Sequence, residues 1–199
     1  MDRLNRALRT VPTWCIYICT ALWAAFLFWQ GATGQLGPEP IKALEHEYGQ
    51  SALILLMVGL AVTPLRRHTG LNLIRFRRAL GLSAFALVLC HLAVWAVLDI
   101  QSLSRIWADI VKRPYITVGM LGLVLLVPLA ATSNNASVRR MGQGWRKLHK
   151  LTYPAVLLAG VHFLMLRKGL QQEPMLYLAG ILLLLALRLP LRASRRNAA

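Results

Sequence analysis

Six stretches of the chain carry almost no charge and are apolar for 17 or more consecutive residues: Trp14–Gln30, Tyr48–Leu65, Ala79–Leu98, Tyr115–Ala131, Lys150–Leu166 and Met175–Leu191. About 20 mostly apolar residues cross a bilayer as a helix, with a range of about 17–25. The runs show none of the apolar–polar alternation of a strand. Lipid offers no partner for an open peptide group, so a run of this kind must close its own hydrogen bonds as a helix. Breaks between the runs carry turn signals: Gly37-Pro38, Pro114, Ser133-Asn134-Asn135 and Pro174. The pattern predicts an all-α integral membrane protein of six transmembrane helices, one domain over residues 1–199, with no internal repeat and no separate soluble domain.

Composition sharpens this picture. Hydrophobic residues make up 57% of the chain and charged ones 15%, far too few charges to cover a soluble domain of this size. The net charge of +16 is not a nucleic-acid footprint, because the basic residues cluster at the ends of apolar runs, where topology and lipid headgroups use them. Seventeen of the 23 Lys and Arg residues fall on one side of a six-span protein, including Arg3, Arg66, Arg67, Arg139 and Arg188. The other side has six: Lys42, Arg105, Lys112, Arg113, Arg167 and Lys168. Positive-inside asymmetry then makes both termini cytoplasmic. Met1–Arg9 is basic and precedes an apolar run, like a signal peptide, but no small-x-small cleavage site follows, so the run is expected to stay as the first span. Cys15, Cys19 and Cys90 form no Cys-x-x-Cys, which argues against a thioredoxin-type site and covalent c-type haem attachment; they read as small apolar helix residues.

Among ionisable side chains, only histidine lies deep in the spans. His91 stands in the third and His162 in the fifth. An intramembrane ionisable residue is costly and marks a functional candidate; the structural alternative is a neutral imidazole bonded to a neighbouring helix. The third and fifth spans run in the same direction, and both histidines sit within about 3–6 Å of their midplanes on the outer side at 1.5 Å per residue. Two imidazoles at one level can hold a haem iron from either side. Ala155 and Ala159 share the face of His162 and leave room for a flat macrocycle, and Ala84 lies two turns before His91.

His149 lies thirteen residues before His162, roughly 20 Å lower, a depth that suits a second, inner haem. Thirteen steps leave the two side chains roughly 140° apart, a difference that a kink at Pro154 would have to reconcile. At that level the third span offers Arg77 and Arg78 rather than a histidine. These arginines serve topology and lipid contact, or salt-bridge haem propionates or a flavin phosphate, which the guanidinium fork suits. His46, between Glu45 and Glu47, reads as a solvated histidine of the first outer loop, and His68 belongs to the second loop.

The motifs Pro64-Leu65-Arg66 with Gly70, Arg77-Arg78-Ala79-Leu80-Gly81-Leu82 leading to His91, Arg113-Pro114-Tyr115-Ile116-Thr117-Val118-Gly119, and Trp145-Arg146-Lys147-Leu148-His149-Lys150-Leu151-Thr152-Tyr153-Pro154 followed by His162 run over most of the chain. In their order they closely resemble the haem-binding membrane subunits of protein-methionine-sulfoxide reductase systems, within the ferric-reductase-like transmembrane family. The resemblance implies a haem-binding helical bundle with His91, His149 and His162 as axial ligands of haem b, one or two per chain, and FMN as a further cofactor. It also implies a multi-pass protein of the bacterial inner membrane. Electrons would come from quinol or a cytosolic flavin reductase. They would go to a periplasmic molybdenum-cofactor subunit, where catalytic sulfoxide reduction would reside. The rival readings are a cytochrome b subunit of another periplasmic oxidoreductase, a small histidine-dependent transporter, and a membrane scaffold.

Overall fold

The computed structural model describes residues 2–166 and 171–189, and every regular element among them is helical. A short basic helix α1 (Asp2–Thr10) precedes α2 (Trp14–Ala32), α3 (Pro40–Thr69) and α4 (Arg77–Ala93). A π-helical segment over Val94–Ile100 continues α4. Then come α5 (Leu103–Lys112), α6 (Pro114–Ala131), two short helices α7 (Asn135–Met141) and α8 (Gln143–Leu148), α9 (Thr152–Leu166) and α10 (Gln172–Ala186). Among the described residues four helical stretches are long and apolar enough to cross a membrane: Trp14–Ala32, Pro40–Thr69, Ile74–Ile100 and Pro114–Ala131. Helices α9 and α10 occupy the fifth and sixth expected runs at 15 residues each. Arg167, Lys168, Arg192, Arg195, Arg196 and the end of the sixth run at Leu191 lie outside the described residues.

The helices pair in two tight couples, α3 with α4 and α6 with α9. Helix α2 lies on the first couple, and α10 closes against α9 and α3. A central core joins the couples through Leu56, Leu60, Ala84, Leu126, Val156 and Ile181. The outward faces stay apolar, with Trp14, Leu22, Phe28, Leu121 and Val124 exposed, as expected of surfaces whose solvent is lipid.

Two local devices hold the bundle in register. Pro64 inside α3 has no N–H, so the carbonyl four residues earlier, on Leu60, loses its helical donor. Arg188, beyond the end of α10, supplies the replacement: Nε and Nη2 donate to the Leu60 oxygen at 2.9 and 2.7 Å, and Nη1 donates to the Tyr153 hydroxyl at 3.1 Å. A residue that the charge pattern counts toward topology thus also closes the gap a proline opens. At the far end of α3, Gly70 takes a left-handed conformation (φ 75°) and ends the helix. Asn5 of α1 pins the following turn, donating from Nδ2 to the Gly70 carbonyl at 3.1 Å and accepting from the Asn72 N–H at 3.0 Å.

The expected boundaries shift where polar residues continue a helix. Helix α3 begins at Pro40, so residues 40–47 are helical and not part of a loop. Likewise, most of the connection between the third and fourth runs folds as α5. Pro154 falls in the first turn of α9, where its missing N–H breaks no bond, and a 3-10 turn over His149–Leu151 absorbs the change of direction.

Candidate functional site

His91 and His162 meet between the two helix couples, with ring centroids 6.2 Å apart and planes at 80°. Each is seated in the same way. His91 Nδ1 lies 2.8 Å from the Glu45 carbonyl on α3, and His162 Nδ1 lies 2.7 Å from the Tyr115 carbonyl on α6. A carbonyl only accepts, so both Nδ1 atoms carry the proton and each Nε2 keeps its lone pair. Four residues along from each acceptor stands a glycine, and the imidazole lies over it. A Cβ on Gly49 would come within 3.1 Å of His91 Nδ1, and one on Gly119 within 2.8 Å of His162 Nδ1. Any larger residue would push the ring from its carbonyl.

The seat follows from helix geometry. Residues i and i+4 are neighbours on one face, so a glycine there clears the path to the carbonyl oxygen one turn earlier. That oxygen uses its second lone pair for the histidine. The arrangement recurs in both couples, although the chain reads as free of sequence repeats: carbonyl and glycine on one helix, histidine on its partner.

A cavity of about 260 Å³ lies beside the two rings. Small residues line it where the histidines project, including Gly49, Ala52, Gly119, Gly122, Ala155 and Ala159. The two alanines expected to give room beside His162 are among them. Ala84 instead packs in the central core. Charged residues also border the cavity: Lys42 and Glu45 from the first turns of α3, Asp99 from the π-helical segment and Arg113 from the junction of α5 and α6. His46 borders it too, from within α3 and half-buried, rather than lying in a solvated loop.

These residues fit a haem iron. Metal-ligating histidines characteristically donate the far ring N–H to a carbonyl or carboxylate, which fixes tautomer and orientation. Imidazole–metal bonds of about 2 Å, plus about 1 Å from nitrogen to ring centre on each side, separate two rings on one metal by about 6 Å. The two rings, 6.2 Å apart, are within reach of one such metal. Among the described residues no group of three or more His, Cys, Asp or Glu side chains could hold a bare metal ion, so a pair of imidazoles is the donor set on offer.

His149 is placed differently. It opens the 3-10 turn before α9, its Nε2 lies 3.1 Å from the Thr132 hydroxyl, and Trp145 stacks on its ring at 3.9 Å. Trp145 Nε1 in turn donates to the Thr132 carbonyl at 2.9 Å. Burial, then the nearby Arg77 and Arg78, lowers its pKa and favours the neutral ring. The Nε2 that a metal would need is engaged by the Thr132 hydroxyl and the ring is covered by Trp145, so this arrangement does not fit a second haem as it stands. Arg78 binds the Asn135 side chain at 2.7 Å, and Arg77 opens α4 beside it. Neither borders the His91–His162 cavity.

The sequence reading missed the two carbonyl–glycine seats and the Arg188 bridge. Gly119 was visible in the third motif, but only packing shows that its missing side chain matters.

Known proteins agree with this picture. Residues 48–160, which include His91 and Tyr115 and end two residues before His162, match the family described as ferric reductase like transmembrane component. Proteins named protein-methionine-sulfoxide reductase heme-binding subunit MsrQ from Brucella ovis, Brucella canis and Brucella melitensis are each 50% identical over 177 residues, covering 88% of this chain and 80% of theirs. No solved structure matches the chain. With a helical bundle, four apolar spanning stretches and a family match over more than half its length, the chain belongs to the ferric reductase like transmembrane family, alongside the MsrQ subunits it resembles.

Proposed function

We propose that this chain is the haem b-binding membrane subunit of a protein-methionine-sulfoxide reductase system and passes electrons across the bacterial inner membrane to a periplasmic partner. The observation that carries the reading is the His91–His162 pair: two imidazoles 6.2 Å apart, each with Nδ1 tied to a backbone carbonyl and Nε2 left for iron. The half-identical relatives named as haem-binding subunits support it.

Haem bound there supplies one-electron iron chemistry, with potential set by axial ligands, burial and hydrogen bonding. The chain supplies the rest. The Glu45 and Tyr115 carbonyls hold both rings in one tautomer and raise their basicity as ligands. Gly49 and Gly119 let the rings come close enough to their partner helices to reach those carbonyls. Leu53, Leu126 and Phe163 give the cavity apolar walls.

The reading places one transmembrane haem-binding domain in the inner membrane with six spans and both termini cytoplasmic, α9 and α10 being the fifth and sixth. The donor is quinol or a cytosolic flavin reductase. The acceptor is a molybdenum-cofactor methionine-sulfoxide reductase, where the catalytic step resides. FMN held through Arg77 and Arg78 belongs to the donor side. A second haem on His149 would require that ring to leave Thr132 and Trp145.

Reduced, purified protein mixed with a periplasmic methionine-sulfoxide reductase and a sulfoxide substrate should reoxidise rapidly, and slowly with either component alone. Equal rates with and without the partner would remove support for the conduit role.

A further inference from the structure

Helix α5 (Leu103–Lys112) is amphipathic in an unusual way for a connecting segment. At about 100° per residue, Ile106, Ile110, Leu103, Trp107 and Val111 form one continuous apolar arc, while Arg105 and Lys112 lie on the opposite arc. Half of the apolar arc is accounted for: Ile106 and Ile110 are part-buried where α5 packs on α6 and the π-helical segment. The other half is bare. Leu103 is 86% exposed, Trp107 69% and Val111 67%. The stretches on both sides of α5 also expose apolar side chains, as a spanning helix that faces lipid must: Val97 of the preceding segment is 65% exposed, and Val124 of α6 is 63% exposed.

We propose that α5 is an interfacial anchor: it lies in the headgroup region of the leaflet where the α4–α6 connection emerges, with Leu103, Trp107 and Val111 in the acyl boundary. Two features fix the occupant as lipid rather than protein. The two stretches that α5 joins and packs against carry exposed apolar side chains of their own, and the centre of the stripe is a tryptophan, the residue whose amphipathic ring favours the interface. The basic arc is then left to headgroups and water, where Lys and Arg are at home.

The anchor also bears on the site. Thr117 Oγ1 donates to the Ile110 carbonyl at 2.5 Å, and Arg113 Nε lies 3.3 Å from the Asp109 carboxylate. These bonds tie the end of α5 to the first turn of α6, whose Tyr115 carbonyl seats His162. The inference rests on the chain lying in a membrane and not on what the histidines bind.

The test is a spin-label collision experiment on the full chain in lipid nanodiscs. A ketone-bearing amino acid placed at Leu103, Trp107, Val111, Arg105, Lys112 or Val124, one position per protein, leaves the three native cysteines in place. Labels at 103, 107 and 111 should collide with oxygen several-fold more than with a water-soluble nickel chelate, as at 124; labels at 105 and 112 should show the reverse. A nickel-accessible 107 with a lipid-exposed 124 would overturn the anchor alone. Exclusion of both colliders from the stripe would mean protein covers it, and overturns it too. A nickel-accessible 124 would overturn the membrane placement itself. Because single labels at exposed positions can still disturb folding, brominated lipid should quench a tryptophan signal in the unlabelled protein that Trp107→Phe removes. No difference between the two proteins would count against the anchor.

Discussion

His91 and His162 were legible because an imidazole inside an apolar run is costly and therefore uncommon, and because equal depth on parallel helices puts the pair within reach. Their seats were not. A backbone carbonyl carries no residue identity, and Gly49 and Gly119 are two of the 14 glycines in the chain, distinguished only by what lies above them. The ring–carbonyl contact makes a sharp expectation. In Gly119→Ala the new Cβ would stand 2.8 Å from His162 Nδ1, closer than atoms pack, so the ring must leave the Tyr115 carbonyl. The folded variant should show weakened haem retention or a shifted low-spin absorption spectrum. Gly59→Ala, whose Cβ would meet nothing within 4 Å and which does not border the cavity, should behave as wild type. An unchanged spectrum in Gly119→Ala would show that the seat does not orient the ligand.

At the scale of elements, apolar runs located the long helices, and polar residues hid their true ends. Glu45, His46 and Glu47 made 40–47 look like a loop, yet the helix continues through them because Glu45 and His46 turn toward the cavity. Hydropathy averages over faces and cannot see this. Pro64 and Arg188 show the same limit across distance. The proline is plain in the sequence, but its partner lies 124 positions away and becomes visible only when α10 packs beside α3. Arg188→Met should leave the Leu60 carbonyl without a donor, a loss of about 1–3 kcal/mol for a desolvated acceptor. Thermal denaturation in detergent should therefore show a lowered midpoint. If the midpoint is unmoved, the Leu60 carbonyl is satisfied some other way. His149→Ala disturbs the Trp145–Thr132 clasp at the start of α9, and the haem signal of the His91–His162 pair should remain.

For the whole molecule, the basic residues give direction. In the proposed six-span arrangement 17 of 23 fall on the side that carries both termini, so alkaline phosphatase fused after Leu191 should be inactive, and fused within 171–174 it should be active. The reverse pattern would invert the membrane sides on which donor and acceptor dock. The central claim, however, concerns the two histidines, and it is most directly tested by the visible spectrum and haem content of His162→Ala beside wild type, each oxidised and dithionite-reduced. Wild type should show a sharp Soret band that shifts on reduction, the mark of six-coordinate haem. In His162→Ala that low-spin signal should be lost while the protein still elutes as a folded species. A His162→Ala protein with the wild-type spectrum and full haem content would contradict ligation by the His91–His162 pair.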